Sequence, residues 1–354
     1  MKIELNKEIK LPSAALGVCE IPGEDHLLVS CFDGSILKLN TKDETWEELG
    51  KHGSYASGIV TCLDGTMAVS AGYDGVIQWH DLKNGKTFAV EKIHPFWSWQ
   101  LKVSHDTRMV ASVSGQYLCG GYKYEPAAEK DPSIKVFNTK TQELVCAFTH
   151  LPPVLSVAFS PDNRHLAAGN MMGDIKVWNL EMGRLVREWN SPDFTSWGVI
   201  KSHHYIGGIF DLSFSLDGNR LLACGMGPMR DPMAGNGKQT WQEFDWNADT
   251  PVKTREIIDH ERGRGLMETL SFHPKGKVFC MAGRMAQGNW NTALFSNETG
   301  ELLQGLDNKI RITRSTFSDD GKQLILTGAK SQGSPKDGKW SKFGSVLIYD
   351  VKDA

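Results

Sequence analysis

Five arginines, Arg262, Arg264, Arg284, Arg311 and Arg314, fall in the last third of the chain, followed by Lys330, Lys336, Lys339 and Lys342. A guanidinium presents a rigid fork of donors that matches carboxylate and phosphate geometry. This sector therefore reads as a receptor for an acidic peptide, a carboxylate or a phosphate. Arg230 and His204 stand in loop-like segments, as do Trp97, Trp99, Tyr117, Tyr122, Trp197, Tyr205 and Trp290. Trp, Tyr and Arg dominate interface hot spots, and these residues together make the candidate partner-binding set.

Catalytic chemistry finds less support. Asn84-Gly-Lys86-Thr87 resembles the end of a phosphate loop, but His80 stands where the leading glycine belongs and the context is a β-turn. Gly263-Arg-Gly265 lacks the third glycine of a dinucleotide-binding turn. Neither a Gly-x-Ser-x-Gly elbow nor a His-Glu-x-x-His helix occurs. His203 and His204 are adjacent, so an extended loop points them apart; Asp211 and Asp259 are the carboxylates that would complete a metal set with them, but ordinary polar loop chemistry is the expected reading. Asn297-Glu-Thr299 reads as a hairpin turn rather than a glycan acceptor. The seven cysteines, Cys19, Cys31, Cys62, Cys119, Cys146, Cys224 and Cys280, include no Cys-x-x-Cys pair and sit mostly in apolar runs, as reduced, buried thiols do. The expectation is a non-enzyme with no cofactor and no metal.

The elements that must position these residues belong to an ordinary globular chain of 354 residues, 40% hydrophobic and 23% charged. A formal net charge of −3 provides no global attraction to nucleic acid or anionic lipid. The first residues, Met1-Lys-Ile-Glu-Leu-Asn-Lys-Glu, lack the apolar stretch of a signal peptide, and no window approaches a membrane span. A cytoplasmic protein without membrane attachment is expected.

Internal similarity organises the chain. The pattern is a strand, a tight turn and a second strand, as in Val154-Leu-Ser-Val-Ala-Phe-Ser-Pro-Asp162-Asn-Arg-His-Leu-Ala-Ala-Gly169. It recurs from Ile209, Glu268 and Arg314, and weaker copies turn at Gly23, Asp64 and Asp106. Third strands follow at Ile36–Leu39, Val76–Trp79, Ile134–Phe137, Ile175–Trp178, Trp241–Phe244, Thr292–Phe295 and Val346–Tyr349, and polar fourth strands follow six of these. The last unit stops at residues 351–354 without one, and Lys2–Leu11 has the patterning to supply it. The predicted fold is all-β, a seven-bladed β-propeller of four-stranded antiparallel blades, its ring closed by the N-terminal strand. The blades span about 12–50, 51–94, 95–150, 151–190, 205–260, 262–308 and 310–352, the last joined by strand 2–11.

These repeats resemble the WD40 family along essentially the whole chain. The best copies are Tyr73-Asp-Gly-Val-Ile-Gln-Trp79-His-Asp81 and Gly173-Asp-Ile-Lys-Val-Trp178-Asn. The resemblance implies a structural polar set within a blade, matched in blade two by Asp74, His52, Ser70 and Trp79. In blade four, His150 and Trp178 match, but Met172 replaces the aspartate.

Several blades depart from the minimal repeat by lengthening the connection between strands two and three, at residues 116–132, 228–238, 284–290 and 330–344. The connections into blades three and five are enlarged too, at residues 94–99 and 191–208. A four-stranded meander puts both kinds of connection on one face, where a rigid scaffold presents binding residues. Blade one is acidic by contrast, with Glu44, Glu47 and Glu48. The expected function is a non-catalytic scaffold gripping a partner protein or peptide on this face; the alternative is an enzyme or small-ligand binder at the mouth of the central channel, built from Trp97, His204, Arg264 and Arg314.

Overall fold

Runs of five to ten residues with apolar side chains on one or both faces, many of them separated by glycine-containing turns, form the strands of the units. The computed structural model describes residues 1–120, 125–197, 205–229, 237–257, 263–330 and 342–352. Its strands form antiparallel meanders, which we number I to VII in chain order. Unit I comprises Ala15–Glu20, His26–Cys31, Ser35–Asn40 and Trp46–Lys51, and unit II comprises Ala56–Cys62, Met67–Gly72, Val76–Asp81 and Lys86–Lys92. Unit III is built from Ser98–Val103, Met109–Ser114, Ile134–Asn138 and Leu144–Phe148, and unit IV from Val154–Phe159, His165–Asn170, Asp174–Asn179 and Arg184–Asn190. Unit V holds Ile209–Phe214, Arg220–Met226, Gly237–Asp245 and Val252–Glu256; unit VI holds Arg264–Phe272, Val278–Gln287, Thr292–Ser296 and Leu302–Leu306. These two units share one sheet through the pairs Gly237↔Gly265 and Lys238↔Arg264.

Unit VII takes Arg311–Phe317, Gln323–Ala329 and Gly344–Lys352 from the end of the chain and Lys2–Leu11 from its beginning. The two termini pair from Lys2↔Lys352 to Leu11↔Gly344. Gln304 of unit VI bonds both the N–H and the carbonyl of Ile3, at 2.8 and 3.0 Å. The innermost strands pack on one another in the order I to VII, and VII returns to I.

Each innermost strand carries a bulge at the same register, so one residue per strand is skipped in pairing with the second strand. The skipped residues are Leu16, Ser57, Trp99, Leu155, Phe210, Glu268 and Thr313. Around the bulges, two kinds of seam join neighbouring units. At I/II and II/III the backbones come close: a Cβ on Gly17 would meet the Gly58 Cα at 3.3 Å, and one on Gly58 would meet the Leu101 Cβ at 3.1 Å. The remaining seams are bonded. Gln100 Oε1 accepts Val157 N–H (2.7 Å), the Ser156 hydroxyl donates to Ile209 O (2.9 Å), and Asp211 Oδ2 accepts Leu270 N–H (2.9 Å). Thr269 Oγ1 accepts Ser315 N–H (3.1 Å), and the Thr313 hydroxyl donates to Ala15 O (2.6 Å).

The core lies in these seams. Ile21, Leu28, Ile36, Ala56, Ile59 and Ala68 fill the one between units I and II, and Ile9, Leu11, Ala15, Val29, Ile325 and Val346 fill the one between VII and I. Each fully buried Leu or Ile is worth roughly 1.5–3 kcal/mol, so no unit holds its hydrophobic faces without both neighbours.

Three sequence expectations need correction. Trp79 is not part of the polar set of unit II: His80 lies opposite Ala68 as Trp178 lies opposite Leu166, so His80, not Trp79, is the counterpart of Trp178. A shift of one residue moves a side chain to the other face of a strand. Trp79 is instead buried against Phe137, with no acceptor for its Nε1 among the described residues. The chain of bonds runs from Asp74 to His52 Nδ1 (3.2 Å), from His52 Nε2 to Ser70 Oγ (2.8 Å), from Ser70 to His80 Nε2 (2.8 Å), and from His80 Nδ1 to Thr87 Oγ1 (2.9 Å). Trp290, expected at a partner surface, is buried with Trp241, Phe279 and Phe295. Cys119 is exposed, although four of the other thiols are buried.

Two measurements test this architecture. Lys2–Leu11 buries Ile3, Ile9 and Leu11, and three such side chains at roughly 1.5–3 kcal/mol each approach the whole stability of a typical domain. Deleting residues 2–11 is expected to abolish cooperative unfolding monitored by circular dichroism, and Ile9→Ala to cost about 2–5 kcal/mol. The second test is pH. Burial pushes His80, His94 and His150 down to about 3, below the value of about 6.5 in an unfolded chain. The folded state therefore resists protonation that the unfolded state accepts. Stability is complete above pH 6.5 and falls as the pH drops from there toward 3, by about 1 kcal/mol per pH unit for each histidine. Urea unfolding across that window should show this slope, and His94→Asn should reduce it by one histidine's contribution, about 1 kcal/mol per pH unit.

Candidate functional site

A bulge re-aims the skipped side chain, and all seven skipped residues line one cavity of about 890 Å³ inside the ring of innermost strands. That volume lies in the upper part of the range of small-ligand sites, roughly 300–1,000 Å³. Residues at the starts of innermost strands and after second strands complete the wall, among them Phe32, Tyr55, Tyr73, Asp307, Lys309, Ile310, Lys330 and Phe343. Antiparallel pairing brings these two kinds of connection to the same edge of each unit, so the cavity meets the face that carries the lengthened loops.

The wall has two chemically different halves. Along units I to III the aromatic rings form a continuous array. Phe32 stacks on Tyr55 at 3.8 Å between centroids, Tyr55 meets Tyr73 at 5.4 Å, and Tyr73 lies parallel to Trp97 at 4.8 Å with 4° between planes. Trp99 packs edge-on against both Tyr73 and Trp97, at 5.3 and 5.4 Å, and donates its Nε1–H to Gly115 O at 2.9 Å. Trp97 remains 40% exposed, so an aromatic surface is available to a partner. Burial pushes the Tyr73 phenol up to about 12, so it is a neutral donor at physiological pH.

The opposite half, from units VI and VII, is cationic. Arg284, Arg311, Arg314, Lys309 and Lys330 line the cavity, with Glu268 and Asp307 as the only carboxylates among the described residues of its lining. Arg311 grips Glu268 with two bonds, Nε to Oε1 at 2.7 Å and Nη2 to Oε2 at 2.8 Å, and Lys309 pairs with Asp307. Glu268 raises the pKa of Arg311 further.

Below them lies Asp211, with no exposed surface. Its Oδ1 accepts from Gln100 Nε2 (2.9 Å) and Leu212 N–H (3.1 Å) and faces Lys102 Nζ (3.2 Å); its Oδ2 accepts from Leu270 N–H (2.9 Å) and faces Arg314 Nη1 (3.6 Å). One carboxylate thus ties together units III, V, VI and VII. Burial pushes the Lys102 ammonium pKa down while Asp211 opposes it.

Of the sequence candidates, the structure brings Trp99, Arg284, Arg311 and Arg314 to the cavity and Trp97 to its rim through Tyr73. Arg264 begins the innermost strand of unit VI, paired with Gln287, and is not part of the lining. Tyr117 is half-buried before the hairpin formed by Cys119–Gly120 and Glu125–Pro126. Tyr205 is half-buried and pairs with Trp197 in the hairpin of Thr195–Trp197 and Tyr205–Gly207. Lys342 lies over the Trp46 ring at 4.6 Å. Tyr122, His203, His204, Arg230, Asp259, Arg262, Lys336 and Lys339 lie outside the described residues. Sequence reasoning missed Phe32, Tyr55, Tyr73 and Glu268, and it set Asp211 aside as a possible loop ligand. The signal for two of them was present: Phe32-Asp-Gly34 and Tyr73-Asp-Gly75 put an aromatic residue before the same turn in successive units.

Four-stranded antiparallel sheets arranged about a central cavity define the chain as a β-propeller. Residues 142–179, which cover the outer strand of unit III and the first three strands of unit IV, match the family described as WD domain, G-beta repeat. Over 63% of its length the chain is 25% identical to telomerase protein component 1 of Mus musculus, covering 8% of that protein. Over 52% it is 23% identical to eukaryotic translation initiation factor 3 subunit I of Lodderomyces elongisporus, covering 49%. Over 34% it is 28% identical to WD repeat-containing protein SL1-17 of Schistosoma mansoni, covering 50%. The chain thus spans half or less of the length of these relatives, and its likeness to them supports a WD40-repeat family.

The cavity floor makes a direct prediction. Asp211→Ala leaves the half-buried Lys102 and Arg314 without their carboxylate and strips the buried N–H groups of Gln100 and Leu270 of their acceptor, and urea unfolding should report a loss of about 3–5 kcal/mol. Arg311→Ala breaks an ion pair that is half exposed on the arginine side, so the same measurement should report about 1 kcal/mol or less.

Proposed function

We propose that this protein is a non-catalytic scaffold, a seven-bladed propeller with the boundaries given above, which holds a partner protein in the cytoplasm through the face where the cavity opens. The observation that carries this reading is the two-sided wall: a preformed array of stacked aromatic rings facing five cations and two carboxylates. Stacked rings supply rigid contact area with little loss of side-chain entropy on binding. The cationic half selects an acidic segment of the partner and accelerates its encounter. The non-catalytic part of the reading is supported by the state of the carboxylates, since Glu268 is held by Arg311 and Asp307 by Lys309. Two relatives are named as a component and a subunit of larger assemblies, which agrees with a scaffold role.

Affinity capture from the native host tests the proposal. The full chain is expected to retain a defined partner, with retention falling as salt rises. Shortening the insertions at 116–132 and 228–238 should release the partner while circular dichroism stays unchanged. Lys309→Glu combined with Lys330→Glu should weaken capture by about tenfold or more. Undiminished capture by folded forms of both variants would exclude this face.

A further inference from the structure

We infer that the floor of the cavity is a subsite for a single oxyanion, a carboxylate or phosphate group, held by the guanidinium of Arg314. Arg314 carries five N–H donors on a side chain that is only 16% exposed. Among the described residues it makes no hydrogen bond, and its Nη1 is buried without an acceptor. The carboxylate it pairs with, Asp211, stands at 3.6 Å, beyond hydrogen-bond distance, and already accepts from Gln100, Leu212 and Leu270.

Two other half-buried arginines among the described residues are treated differently. Arg220 and Arg255 converge on Glu243 with bonds of 2.5 to 3.0 Å. A buried guanidinium N–H without an acceptor is costly unless something supplies one, and the remaining N–H groups of Arg314 are left free to bond a ligand in the cavity it lines. The local charge points the same way: Lys102 and Arg314 share the single charge of Asp211 and leave an excess of one positive charge at the floor. Above the floor, Arg311 and Lys309 line the route from the face, and Tyr73 and Trp99 supply apolar wall for the stem that bears the anion.

This inference deepens the scaffold reading, in which the group belongs to an acidic residue of the partner, but the subsite itself is tested without any partner. Isothermal titration of the full chain at low salt would use inorganic phosphate and glutarate as probes, with chloride at matched ionic strength as the control. Saturable binding of either probe is expected, and the one that binds more tightly names the group the subsite takes. Arg314→Met should weaken it by about tenfold or more. Asp211→Asn, held at a temperature where it stays folded, should tighten it, because the floor then carries a further positive charge; a merely structural arginine would not link the two changes with opposite sign. If Arg314→Met does not fold, Arg314→Lys decides, since it keeps the charge but loses the fork and must weaken binding. No saturable binding to wild type, or unchanged binding after loss of the fork, overturns the subsite. Loss of partner capture with intact anion binding would instead count against the docking reading.

Discussion

The bulge shared by the innermost strands is the constraint on which the rest of the molecule depends. A regular antiparallel pair places alternate residues on opposite faces and leaves none pointing along the plane of the sheet toward the centre. Inserting one unpaired residue breaks that alternation locally and turns a side chain inward. Because the insertion falls at the same register in every unit, the inward residues form one wall. The residues that follow the bulges fall at one level, where Gln100, Ser156, Asp211 and Thr269 reach the backbone of the next unit. One local distortion thus both joins the units and shapes the cavity.

The two kinds of seam divide the structure's chemistry. Between units I and III, Gly17 and Gly58 let the strands approach closely, and no side chain is spent on bonding at that level. The aromatic array sits directly above these glycine seams. Where the units meet through polar side chains, the charged residues collect. Asp211 is the extreme case, because a fully buried carboxylate is tolerated only when several donors surround it. It meets that condition by drawing groups from units III, VI and VII, so its set of partners is complete only when the whole ring is assembled. Burying this charge gives the ring a tie that no pair of neighbouring units could make alone.

Much of the fold was legible in the sequence because strands, turns and repeats are local signals. The apolar run in Val154–Phe159, the glycine turns and the patterning of Lys2–Leu11 each lie within a dozen residues, and the observed pairing of the two termini follows from them. What was not legible depends on register. Whether Trp79 or His80 belongs to the polar chain is decided by which residue lies opposite Ala68, and the one-dimensional pattern is equally compatible with either. Trp290 follows a lengthened connection that reads as surface, yet it folds back onto Phe295. Asp211 falls in the strand that starts at Ile209, but its role was not legible because its partners, Gln100, Leu270 and Arg314, are distant in the chain.

The same reasoning explains why the arginine cluster was found while its division of labour was not. Composition places Arg311 and Arg314 three residues apart and makes them look alike. The bulge between Ile312 and Arg314 separates them: Arg311 stays at the rim, half exposed and bidentate on Glu268, whereas Arg314 turns down toward Asp211. A rim pair in contact with water is screened by salt and contributes little to stability, so its value lies in attracting charge from a distance. A guanidinium in the interior is weakly screened and strongly directional, so its value lies in holding one group in one orientation. Attraction at the rim and fixation at the floor are separate tasks, and a single skipped residue in one strand is enough to assign each to its own arginine.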